Sequence, residues 1–153
     1  MSTDTIKNEA LESAVKSVIN TLQDGQKGYA DLGEHFKDET LKRYFLAESL
    51  KRANFRGELE NELHRHGVRD VHEEGTLEGT LLRGWQELKE KVADVSDHSL
   101  LVTAERAEDA AKKTYAEALN EELPLPLRQL LTEQYLHVQS FHDFVKLNRD
   151  STK

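Results

Sequence analysis

Residues 67–97, GVRDVHEEGTLEGTLLRGWQELKEKVADVSD, separate two long stretches of helical periodicity, and the length of this segment decides how those stretches connect. A connection of two or three residues would bring the chain back antiparallel beside the helix it leaves. A segment this long, carrying a helix of its own, travels the length of a bundle and starts the next helix parallel to the previous one. Its first part, Gly67 to Gly75, is polar and has no stripe. Leu77, Leu81, Leu82, Trp85, Leu88 and Val92 then mark a one-sided helix over about 77–92, and Asp94-Val95-Ser96-Asp97 is a capping-rich turn.

Upstream, Val15, Val18, Ile19, Leu22, Gly25, Tyr29, Leu32 and Phe36 recur at three-and-four spacing, which predicts a helix over about 8–36. Asp38 is the expected N-cap of a second helix, whose stripe runs from Leu41 through Tyr44, Phe45, Glu48, Arg52, Phe55 and Leu59 to Leu63. Gly67 is its stop signal. Downstream, Leu100, Leu101, Ala104, Ala107, Glu108, Ala111, Tyr115 and Ala118 share one helical face, with alanines that imply close approach to a neighbour. Leu123-Pro124-Leu125-Pro126 breaks that helix, because proline is tolerated in a first turn and not in an interior. A last helix over about 126–148 is expected to bury Leu127, Leu130, Leu131, Gln134, Tyr135, Val138, Phe141, His142 and Val145.

The whole of 1–153 therefore reads as a single helical-bundle domain: a hairpin over 8–66, a crossover over 67–97 and a second hairpin over 98–148. The expected fold is all-α, a ferritin-like four-helix bundle with one long crossover that contains an extra short helix. A plain up-down bundle with an appended helix is the alternative. A shift of 86 positions aligns Tyr29 with Tyr115, Ala30 with Ala116, Leu41 with Leu127, Leu50 with Leu136 and Phe55 with Phe141, in keeping with paired hairpins.

Composition agrees and removes several function classes. Ala, Glu, Lys, Leu and Arg make up 74 of 153 residues, close to the ~50% that marks long amphipathic helices. The formal charge of -8 disfavours nucleic acid and anionic membrane surfaces as partners. Cysteine is absent, so disulfides, thiol catalysis and thiolate-held metals are excluded. The chain opens on no leader-like segment and holds no uninterrupted apolar run of ~18 residues, so a cytoplasmic location is expected. Neither a phosphate-cradling glycine loop nor a nucleophile elbow is present, and no His-Glu-x-x-His zinc helix.

Glu48-x3-Arg52-x2-Phe55-x3-Leu59, the Gly84-Trp85 pair, and Glu105-Arg-Ala-Glu108-Asp109 with Tyr115 carry a resemblance. From about Val15 to about Arg149 the chain resembles a bacterial four-helix-bundle family of ferritin-like fold catalogued as a domain of unknown function. The resemblance implies that fold and brings no activity, substrate or catalytic residues with it.

The polar residues on the core stripes decide between two functional readings. Di-iron bundles take a Glu from each of two helices and Glu-x-x-His from each of the other two, so that carboxylate and imidazole sit one turn apart. Here the equivalent places read Glu48-x-x-Lys51 and Gln134-x-x-His137, and the first helix offers no inward Glu, since Asp24 lies off its stripe. The favoured expectation is a metal-free core network of Tyr29, Glu48, Arg52, Glu108, Tyr115 and Gln134. Folding each hairpin about its turn sets Tyr29 level with Glu48 and Tyr115 level with Gln134, while Arg52 reaches Glu48 or Glu108.

The function expected from this is non-enzymatic. It would be exerted through protein interaction or homo-oligomerisation, with Leu77, Leu81, Trp85 and Leu88 as the interaction surface and no cofactor. The competing expectation is a carboxylate-bridged iron or manganese protein using Glu48, Glu105, Glu108 and His137. Two lesser candidates are a surface metal cluster at His64, His66, His72, Glu73 and Glu74, and a small-molecule site between Gly25 and Ala111.

Overall fold

Two helical hairpins stand side by side in the computed structural model, which describes residues 9–68 and 79–152. The first is α1 (Glu9–Gly33) and α2 (Glu39–Arg65), the second α4 (Asp97–Leu119) and α5 (Leu125–Ser151). The short α3 (Thr80–Lys91) belongs to the connection between them. Among the described residues there are no strands.

Sequence-local signals set the ends. Asp38 accepts from Leu41 N–H at 3.0 Å and caps α2. At the other end Gly67 takes the left-handed conformation (φ 85°), which lets Val68 N–H donate to Leu63 O at 2.9 Å and closes the last carbonyls of the helix. Ser96 caps α4 by accepting from Ser99 N–H at 3.1 Å. The expected helix over 8–36 stops at Gly33, three residues early, because His35 and Phe36 bond back to Leu32 O and Gly33 O and turn the chain toward α2. The crossover helix begins at Thr80 instead of 77, and Leu77 lies outside the described residues.

The two ends of the connection lie at opposite ends of the bundle. The connection leaves at Val68, which packs in the cluster with Leu11, Leu59 and Ala118, and arrives at Asp97, beside the α1–α2 turn at the opposite end. There the Asp97 carboxylate accepts from Lys37 N–H (2.8 Å) and Asp38 N–H (3.0 Å), so the start of α4 is fastened to the start of α2. Helices α2 and α4 therefore run parallel, as diagonal partners, and each neighbouring pair around the square is antiparallel. α3 lies across α1 and α4 on the outside.

Two hydrophobic clusters fill the two ends. One joins Val15, Ile19, Leu22, Leu59, Leu63, Tyr115, Leu127 and Leu131, and the other Tyr29, Leu32, Phe45, Trp85, Leu100, Leu101, Phe141 and Val145. Between them, at the waist, every helix of the square contributes polar side chains.

Candidate functional site

The waist is built around Arg52. Its guanidinium is 1% exposed, and Gly25 on α1 makes room for its stem: a Cβ there would stand 3.3 Å from Arg52 Cγ. Arg52 Nε–H donates to Glu48 Oε2 at 2.6 Å, one turn back on α2, and Nη2–H donates to Glu108 Oε1 at 2.5 Å on α4. The second oxygen of Glu108 accepts from Tyr29 O–H at 2.6 Å. His137 Nε2 on α5 donates to the Glu48 carboxylate at 2.9 Å, and its ring is one-third exposed, the edge of the network that meets solvent. The guanidinium also lies 5.6 Å from the ring centres of Tyr29 and Phe141, so its faces are covered by aromatics. Two buried carboxylates thus share one buried cation, with the phenol and imidazole supplying the remaining donors.

A second polar pair completes the layer. Tyr115 O–H donates to Gln134 Oε1 at 2.7 Å, and Gln134 Nε2–H donates to Phe55 O at 3.1 Å. The level argument places Tyr115 with Gln134, as found, and Tyr29 with Glu48, which is corrected. Tyr29 bonds Glu108 across the bundle, because Arg52 and His137 already occupy Glu48.

The electrostatics follow this geometry. Burial pushes the Glu48 carboxyl up, but the His137 hydrogen bond and the Arg52 charge outweigh it and hold it below its ordinary value. Burial likewise opposes the Arg52 charge, and Glu108 and Glu48 together raise it well above its usual range. Burial, then the Glu108 charge, drives the Tyr29 phenol well up, and burial does the same to Tyr115, so both stay protonated donors.

The residues of the alternative metal set do not converge. Glu48 and His137 meet, but Arg52 stands between Glu48 and Glu108, and Glu105 is turned away to pair with Arg149 on α5. A guanidinium fills the position where a di-metal centre needs an ion. Among the described residues no three His, Asp or Glu side chains are grouped to hold a metal. The waist offers no room for a substrate either. The void lined by Gly25, Tyr29, Arg52, Glu108 and Ala111 is about 10 Å³, roughly one water. A small-molecule site between Gly25 and Ala111 is thereby corrected to a nearly filled core.

The interaction surface expected on α3 is also corrected. Leu81 is 1% and Trp85 0% exposed, and Leu88 is half-buried against the same chain. Leu81 sits over Gly28 so closely that a Cβ there would stand 2.4 Å from its Cδ2. Trp85 Nε1–H donates to Asp31 at 2.6 Å on α1. Of the histidine cluster, His66 is buried 3.6 Å from Glu62, while His72, Glu73 and Glu74 lie outside the described residues.

One functional side chain escaped the stripe reading. Asp24 is buried on α1 and accepts from the N–H groups of Gly79 (3.1 Å), Leu81 (3.0 Å) and Leu82 (3.1 Å). It caps α3 from another helix, where Gly79 itself has no side chain to do so. Burial raises its carboxyl above the ordinary value, against the pull of those three donors and of Arg83. The signal was available in Gly28 and Gly79, small residues at which α1 and the start of α3 approach: a Cβ on Gly28 would meet Leu81 and one on Gly79 would meet Asp24.

Outside the waist, α3 and α4 enclose an open groove of about 450 Å³ along their outer side, lined by Arg83, Gly84, Leu88, Lys91, Val102 and Arg106 among others. No motif pointed to it, since its residues come from two helices and none is unusual alone.

No curated protein matches the chain. A family match covers residues 10–121, helices α1 to α4, and ends before α5. Arg52, Glu48, Glu108, Tyr29 and Asp24 all fall inside it, and the chain belongs to that family, described as Domain of unknown function (DUF2383).

Proposed function

We propose that this chain is a non-catalytic bundle of the ferritin-like kind, whose waist is closed by an internal cation in place of metal and which acts through its surface. The observation that carries this reading is Arg52 bonded to both Glu48 and Glu108, with Tyr29 and His137 meeting the other oxygens. Both waist carboxylates, the Arg52 guanidinium and the Tyr29 phenol are hydrogen-bonded to one another or to His137, and the adjoining void of about 10 Å³ is too small for a reactant. No helix among the described residues is long and apolar enough to cross a membrane.

Self-association belongs to the same proposal. With α3 covered by its own chain, the large apolar side chains exposed among the described residues are Tyr44, Leu50, Val92, Leu125, Leu136 and Leu147, the last three spaced three turns apart along α5. Isolated exposed leucines are ordinary on soluble surfaces, and they support a weak contact at most.

Elemental analysis tests the reading. Protein incubated with ferrous or manganous ion and freed of unbound metal is expected to hold no stoichiometric metal. Stoichiometric iron or manganese that disappears in E48Q would overturn the reading in favour of the di-metal alternative.

A further inference from the structure

The groove between α3 and α4 departs from the rest of the molecule in charge. The chain as a whole carries 29 acidic against 21 basic side chains, yet Arg83, Lys91 and Arg106 line the groove with Glu87 as the one carboxylate. The charge of Arg83 acts on Asp24, favouring its ionised form. Lys91 and Arg106 form no ion pair with any described residue, in contrast to Arg52 and Arg149.

The shape is as distinct as the charge. α3 follows α1, from Asp24 beside Leu81 to Asp31 beside Trp85, and α1 opposes α4. α3 and α4 are therefore antiparallel, with Arg83 and Arg106 toward one end of the groove and Lys91 and His98 toward the other. Between these ends the lining is mostly apolar or small, Gly84, Leu88, Val102 and the methyl of Thr103, with Glu87 and Ser99 as its polar members. Gly84 keeps the middle clear, since a Cβ on it would stand 3.2 Å from Thr103 Cγ2. A volume of about 450 Å³ falls within the ~300–1,000 Å³ of small-molecule sites, which combine an apolar lining with a few polar groups.

We propose that this groove binds a small organic anion with an apolar body, its charged end on Arg106 and its hydrocarbon over Gly84, Leu88 and Val102. Arginine suits the charged end because its planar fork gives two parallel N–H bonds to a carboxylate, sulfonate or phosphate. An acidic peptide would need a longer surface of positive charge than the cations of one groove supply. The proposal rests on the surface-acting reading and gives it a chemistry. The two fail separately, since metal uptake overturns that reading and leaves the groove unaffected.

The probe is 8-anilinonaphthalene-1-sulfonate, an aromatic anion, titrated by fluorescence into the full chain, with neutral N-phenyl-1-naphthylamine as the control. Saturable binding at one site is expected, weakened about tenfold or more in R106E/K91E, as the loss of a charge-assisted hydrogen bond implies. The neutral probe should bind wild type and variant alike, and the sulfonate should shift backbone amide resonances at Gly84, Leu88, Val102 and Thr103. R106Q/K91Q, which removes charge without reversing it, should fall between wild type and R106E/K91E. Equal sulfonate affinity in wild type and both variants, amide shifts confined to another face, or no saturable binding would overturn the proposal.

Discussion

Arg52 at the waist is 1% exposed and meets two carboxylates, whereas Arg106 in the groove, on the same helix as Glu108, is exposed and meets none among the described residues. The two arginines stand for two ways of carrying charge. A cation removed from water must be paired inside, or its desolvation is uncompensated. One left in water costs nothing to keep unpaired and stays available to a ligand. In this bundle the buried charges hold the helices together, and the exposed ones are where recognition has room to occur.

The largest expected effect breaks the waist. R52M leaves Glu48 and Glu108 buried without their cation, and removing one partner of such a group costs about 3–5 kcal/mol. Against a total of ~5–15 kcal/mol for a domain, urea unfolding should show a much lowered midpoint. An unchanged midpoint would mean that the waist charges are as weakly engaged as those of the groove.

G28A should come next. The added methyl meets Leu81 Cδ2 at 2.4 Å and Cγ at 2.5 Å, and such overpacking costs about 1–3 kcal/mol. Because Trp85 is the one tryptophan and is buried under α3, its emission should shift to the red as α3 lifts. Unshifted emission would show that Leu81 rearranges without moving the helix.

Acid titration sharpens the comparison within the buried set. Glu48 is held below its ordinary value of 4.5, so its contribution is complete above that pH and is lost as pH falls through the folded value. Asp24 is raised above 3.8, so its ionisation works the other way: its contribution is complete below 3.8 and is lost as pH rises through the raised value. The acid limb of the stability curve is the sum of these opposite slopes. E48Q should make it shallower and D24N steeper, with D24N also costing about 1 kcal/mol at neutral pH through the weakened cap. The same slope in both variants would contradict the assignment. R106E should be the smallest change, within about 0.5 kcal/mol of wild type in urea, as for a surface position without partners.

Much of this was legible in the residues. The three-and-four stripes locate the helices, Asp38, Ser96 and Gly67 mark their ends, and the length of 67–97 dictates the parallel return to α4. Tyr115 with Gln134 follows from counting outward from the Pro124 turn, because both lie in one hairpin. Tyr29 was misplaced for a physical reason: counting gives the height of a side chain in the bundle and not which of two facing helices it points to. Asp24 lies off the three-and-four stripe of α1, which marks the face toward two neighbours. α1 is contacted by α2, α4 and α3, so its buried arc is wider than a bundle stripe. The groove stayed hidden because it depends on the register of α3 against α4, which no local pattern encodes.

The most direct test of Arg52 as the internal counter-ion compares R52M with the triple variant E48Q/R52M/E108Q by urea unfolding. If the single change is destructive because it strands two carboxylates, neutralising both should restore most of the lost stability, the non-additivity expected of residues in one network. A triple variant as unstable as the sum of its parts, or an R52M protein as stable as wild type, would contradict it.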